Sequence, residues 1–129
     1  MAITVNSKKK QVKKTFQELI NDLMTSSSEK VRYNAARVLG EMGDSKAVEP
    51  LIDVLKNDKN GSVRLYAARA LGELGDSKAT EHLIESLRED RNVDVRVRAA
   101  RALGRLGGKI VVEPLVEALN DENSQVCIT

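Results

Sequence analysis

The sequence predicts an all-α fold in which pairs of helices stack into a solenoid, and three observations carry that prediction. The first is a tandem repeat. VRYNAARVLGEMGDSKAVEPLIDVLK begins at Val31, VRLYAARALGELGDSKATEHLIESLR at Val63 and VRVRAARALGRLGGKIVVEPLVEALN at Val95, a spacing of 32 residues both times with no gap. Residues 31–62 and 63–94 are identical at 19 of 32 positions, and residues 63–94 and 95–126 at 14, far beyond chance. The second is that aliphatic residues in every copy recur at the spacing of an amphipathic helix. The third is the scarcity of aromatic residues: one Phe, two Tyr and no Trp in 129 residues. Ala, Leu, Val and Ile must therefore build the core, which suits closely packed helices better than a β-sandwich or barrel.

The elements follow in order. Leu19, Ile20 and Leu23 stand 32 residues before Leu51, Ile52 and Leu55, so residues 8–28 are expected to form an N-terminal capping helix, the second half of a repeat whose first half is missing. Its Lys8, Lys9, Lys10, Lys13 and Lys14 suit the solvated end face that a solenoid needs, with contact to phosphates as the alternative. Repeat one spans 29–60, repeat two 61–92 and repeat three 93–125, followed by a tail at 126–129, all within a single domain 1–129 of about seven helices. In the first helix of repeat one, Val31, Ala35, Val38, Leu39 and Met42 fall on one inward face. Ser28 fits the N-cap and Gly43 the position after the C-cap. Asp44 or Ser45 opens the next turn. Pro50 is tolerated only near a helix start, so the second helix should begin close to Ala47 and bury Val48, Leu51, Ile52 and Leu55. Ala36 and Gly40, with Ala68, Gly72, Ala100 and Gly104, are small enough to let a paired helix approach closely. At the C-terminus no helix follows to cover Leu115, Val116 and Leu119. That end is expected to be covered by Val126 and Ile128 folding back, or by self-association with another subunit.

Charge and cysteine content remove several classes. A net charge of +2 points to no partner by itself, and no apolar stretch is long enough to cross a bilayer. The N-terminus MAITVNSKKK places its lysines after a very short apolar stretch, the wrong order for a secretory signal. The single Cys127 excludes an internal disulfide framework and a Cys-based metal site. A cytoplasmic protein without membrane attachment is expected.

The string VRxxAAxxLGxxGDxxAVxPLIxxL, covering about residues 15–126, resembles the short HEAT-like repeats first associated with phycocyanobilin lyases. The ankyrin TPLH signature and the tetratricopeptide Trp and Tyr positions are absent. The resemblance implies a right-handed α-α superhelix, the HEAT-like solenoid, with the VRxxAAxxLG helices lining its concave surface. Relatives of this type include bilin lyase subunits, deoxyhypusine hydroxylase, HEAT-like DNA glycosylases and many binding scaffolds. The hydroxylase would need repeated His-Glu dipeptides to hold two irons, and here one His stands in the reverse order, Glu81-His82. The glycosylases use aromatic residues to handle their target nucleotide, and this chain has no Trp. An accessory role in a bilin lyase-type enzyme stays open, although those proteins are usually much longer arrays.

No constellation for catalysis emerges. His82 occupies the place of Pro50 and Pro114 and has no second His or Cys nearby, so a surface substitution accounts for it better than a general base or a metal ligand. Cys127 has no His near it to act as base and reads as an incidental terminal thiol. Gly40-x-x-Gly43 lacks the Gly-Lys-Ser/Thr ending and the preceding strand of a phosphate loop, and packing and capping explain it. Arg32, Arg64 and Arg96 recur directly after the buried Val and are expected to pair with loop carboxylates such as Asp58 and Asp90, tying repeats together. A non-enzyme with no metal and no cofactor is the expectation.

What each first helix leaves outside is more informative. With about 100° per residue, the outer arc holds Lys30, Tyr33, Asn34, Arg37 and Glu41, then Ser62, Leu65, Tyr66, Arg69 and Glu73, then Asp94, Val97, Arg98, Arg101 and Arg105. Both tyrosines lie there with a column of Arg37, Arg69 and Arg101, and Tyr and Arg are favoured at protein-binding hot spots. The second helices are acidic outside, through Glu49, Asp53, Glu81, Glu85, Glu113 and Glu117. The expected function is a non-catalytic protein-binding scaffold whose concave face, through Tyr33, Asn34, Arg37, Leu65, Tyr66, Arg69, Val97, Arg98 and Arg101, takes an acidic or amphipathic protein segment. The alternatives are nucleic-acid binding through the Arg column and the basic N-terminus, and the lyase-type accessory subunit.

Overall fold

Capping side chains written into each repeat set the helix boundaries of the computed structural model, which describes residues 14–107. Helix α1 (Phe16–Thr25) starts where Thr15 and Glu18 form a reciprocal capping box, each accepting a hydrogen bond from the other's backbone N–H at 3.1 and 2.9 Å. The helix therefore begins at Phe16, later than the capping helix expected from residue 8. Lys14 precedes it and pairs with Asp22 at 2.6 Å, while Lys8, Lys9, Lys10 and Lys13 lie outside the described residues. Helices α2 (Glu29–Met42), α4 (Gly61–Leu74) and α6 (Val93–Leu106) are capped by Ser28, Asn60 and Asn92. Gly43 and Gly75 close the first two of these at φ +74° and +68°, a left-handed conformation that favours glycine. Asp44 and Asp76 then cap short 3-10 turns at Ser45–Ala47 and Ser77–Ala79, which lead into α3 (Val48–Asn57) and α5 (Thr80–Glu89). Pro50 falls in the first turn of α3, as its missing N–H requires. These six α-helices and two 3-10 turns are the regular structure among the described residues. The expected seventh helix, with Glu113, Pro114, Leu115, Val116, Glu117 and Leu119, and the tail with Val126, Cys127 and Ile128, lie outside them.

The helices form two rows. In one, α2, α4 and α6 pack side by side along their length, because glycine lets the backbones almost touch. A Cβ on Gly40 would sit 2.8 Å from the Cα of Ala70, and one on Gly72 would sit 2.9 Å from the Cα of Ala102. In the other row, α1, α3 and α5 pack onto their partners in the first row but meet one another only sparsely. A stack closely spaced on one side and loosely on the other curves toward the close side. The α2–α4–α6 wall is therefore the concave one.

Between the rows runs one continuous aliphatic core, from Leu19 and Leu23 through Leu39, Leu51, Leu55, Leu71, Leu83 and Leu87 to Leu103. Two parts of the predicted inward face are corrected. Met42 is 46% exposed, whereas its equivalents Leu74 and Leu106, also the last residues of their helices, are half-buried against the core. Val31 and Val38 are only half-buried, whereas the equivalents Val63, Val95, Ala70 and Ala102 are buried. Ala70 and Ala102 meet Gly40 and Gly72 of the preceding first-row helix, and among the described residues no first-row helix precedes α2.

The arginines after the buried valines do tie the loops together. Arg32 forms a two-pronged ion pair with Asp58 (Nε to Oδ2 2.8 Å, Nη2 to Oδ1 3.1 Å) and donates from Nη1 to the Ser26 carbonyl. Arg64 repeats this with Asp90 (2.9 and 3.1 Å) and the Asp58 carbonyl. Arg96 donates to the Asp90 carbonyl at 2.7 Å. Among the described residues its Nε is buried without a partner, and Asp121, where the sequence next carries the loop aspartate, lies outside them.

Candidate binding face

Every residue of the predicted binding set lies on the concave wall, and none is buried. Tyr33 on α2 and Tyr66 on α4 stack, with ring centroids 5.2 Å apart and planes 16° from parallel. Both rings are half-buried and rest against the core. Comparing repeat with repeat does not reveal this pair, since Tyr33 is equivalent to Leu65 and Tyr66 to Asn34. The signal is the stagger between neighbouring helices. Gly40 meets Ala70 and Tyr33 meets Tyr66, separations of 30 and 33 residues that differ from the 32 of the repeat.

Among the described residues, the Arg column is neutralised in the first two repeats and not in the third. Arg37 pairs with Glu41 at 3.1 Å and Arg69 with Glu73 at 3.4 Å, each one turn along its own helix. In repeat three the equivalent of those glutamates is Arg105. Arg69, Arg98, Arg101 and Arg105 line a depression of about 520 Å³ with Glu73. Glu73 and Arg105, on the predicted outer arc but outside the predicted binding set, thus belong to it. Burial, then repulsion from Arg101 and Arg69, holds the Arg98 guanidinium below its ordinary pKa, against the opposing influence of Tyr66 and Glu73.

Asn34 and Arg37 are not drawn into this cluster. They border a separate, smaller depression of about 260 Å³ with Val31, Val38 and Lys14, on the flank facing α1. Leu65 and Val97 are half-buried. On the convex side Glu49, Asp53, Glu81 and Glu85 are exposed. His82 is half-buried in the first turn of α5. A further groove of about 500 Å³ runs between the ends of α3 and α5. Its floor is the Asp58–Arg64–Asp90 ladder, whose hydrogen-bonding groups are already engaged. Among the described residues no group of three or more His, Cys, Asp or Glu side chains is placed to hold a metal ion, and no helix is long and apolar enough to cross a membrane.

Comparison with known proteins agrees with this architecture. The family model described as HEAT repeats matches residues 16–96 and 80–128. Among solved structures, the chain is similar to one in the complex of CpcE and CpcF of phycocyanin lyase from Nostoc sp. PCC7120, with 34% sequence identity and a TM-score of 0.77. The similarity covers 84% of this chain and 43% of that one, so this chain spans less than half of its length. No curated protein matches the sequence.

Proposed function

The chain belongs to the HEAT-repeat family, and from that premise we propose that it is a non-catalytic scaffold whose concave α2–α4–α6 wall holds a segment of another protein. The observation that carries this reading is the stacked Tyr33–Tyr66 pair, flanked by the arginines of α4 and α6. Two rings already packed together and resting on the core lose little freedom when a ligand covers them, and Tyr and Arg are the side chains from which hot spots are most often built. The similar solved structure is itself a complex of two named subunits, which supports a protein partner.

The test is affinity capture with the full chain as bait, comparing wild type with a Tyr66→Leu, Arg69→Ala double variant. Leucine keeps aliphatic bulk over the core while removing the aromatic face, so the melting temperature should hold while capture of the partner is lost. Equal recovery of every bound protein by both baits would refute the reading.

A second reading has its own support. The likeness to a phycocyanin lyase subunit at 34% identity favours an accessory subunit of a lyase-type enzyme. That role requires binding of a tetrapyrrole with a change in its visible absorbance, and an unchanged spectrum on titration with the protein would exclude it.

A further inference from the structure

We infer that the concave wall has two unlike subsites, the stacked tyrosines taking an apolar side chain and the Arg69–Arg98–Arg101–Arg105 cluster taking adjacent carboxylates, so that the occupant is an acidic peptide segment with an apolar anchor. This deepens the scaffold reading above and rests on it.

The argument starts from where the repeats stop being alike. Two substitutions in repeat three fall on the same wall and change it in the same direction: Arg105 stands in the place of Glu41 and Glu73, and Arg98 in the place of Asn34 and Tyr66. The depression they help form holds four guanidiniums and one carboxylate. Arg98, Arg101 and Arg105 form no ion pair among the described residues, whereas Arg37 and Arg69 each have a glutamate one turn away. Stability does not call for such a grouping, since like charges brought together repel, and an anion seated among them removes that repulsion.

Geometry selects the kind of anion. The cluster spans two helices, and Glu73, paired with Arg69 and with its Oε1 beside Gly40 of α2, stands on its lining. Carboxylates on neighbouring residues of a segment laid across α4 and α6 reach guanidiniums on either side, and each can be gripped by a planar fork. The tyrosine pair bridges α2 and α4, one helix further along the wall. Adjacent helix axes lie about 8–10 Å apart, and an extended chain advances about 3.3 Å per residue, so an anchor and its acidic run are separated by roughly three residues.

The experiment is fluorescence anisotropy with the full chain and four labelled probes. The first is a peptide with one Phe, a two-residue Gly-Ser spacer and a run of glutamates. The second is the same peptide with Gln for Glu, the third has the spacer deleted, and the fourth is an oligothymidylate of equal charge. The glutamate peptide should bind about tenfold more tightly than its Gln counterpart and more tightly than the spacer-deleted form. An Arg98→Gln, Arg105→Glu variant should lose that preference at an unchanged melting temperature. Tyr66→Leu should weaken both peptides and keep the preference. Equal binding of the Glu and Gln peptides, no binding of the Glu peptide, or tighter binding of the oligothymidylate would each overturn the inference. Equal peptide binding that Tyr66→Leu abolishes would remove the carboxylate subsite and leave the protein-binding scaffold standing.

Discussion

Asp58 and Asp90 each hold several groups at once. The Asp58 carboxylate accepts both prongs of Arg32 and the backbone N–H of Asn60, and its carbonyl accepts from Arg64. With side chains only 6% and 8% exposed, the Arg64–Asp90 pair is a buried one. Removing one partner leaves the other charge without compensation, which costs about 3–5 kcal/mol. Asp90→Ala should therefore lower the urea midpoint strongly. Glu41→Ala, which breaks an ion pair whose side chains are 39% and 51% exposed, should cost less than about 1 kcal/mol. The ladder was legible in the sequence because both of its partners recur in register. The tyrosine stack was not, because it joins positions that are inequivalent in the repeat and meet only through the stagger of neighbouring helices.

Among the elements, three equivalent glycines make a graded test of close packing. Gly40 and Gly72 face the next first-row helix at distances that leave no room for a methyl group, and Gly104 faces nothing within 4 Å among the described residues. Gly72→Ala should force α4 and α6 apart at a cost of about 1–3 kcal/mol, while Gly104→Ala should be neutral or stabilise α6 by up to about 1 kcal/mol. Chemical denaturation of the two variants gives the signs directly, and a destabilised Gly104→Ala would contradict this account of the wall. Helix ends were readable where the cap is a single residue, as at Ser28 and Gly43. The start of α1 was misplaced because the lysine-rich stretch before it offered no stop signal, and the Thr15–Glu18 box governs. Val31, Val38 and Met42 show the limit of periodicity. It gives the direction a side chain faces, and burial also depends on whether a neighbour is there to cover it.

Taken whole, the molecule is a chain of nearest-neighbour contacts. Helix α4 is packed between α2 and α6, while α1 is held chiefly by α2 and only lightly by α3. In such an array the interior units open last, so native-state hydrogen exchange should be slowest in α4 and markedly faster in α1. Equal protection in the two would mean that the repeats unfold as one block. At this scale the fold was almost entirely legible, since any three copies of a two-helix pattern dictate a stack. The site was legible only in part, because it lies where the copies diverge, at Tyr33, Tyr66, Arg98 and Arg105. The loop aspartates carry one more consequence, for anyone recombining such modules. Arg32 and Asp58 open and close a single helix pair, as do Arg64 and Asp90. A cassette cut just before a VR helix and just after the following loop aspartate keeps its own countercharge wherever it is spliced. One cut between the two helices of a pair would strand a cation on one side of the seam and an anion on the other.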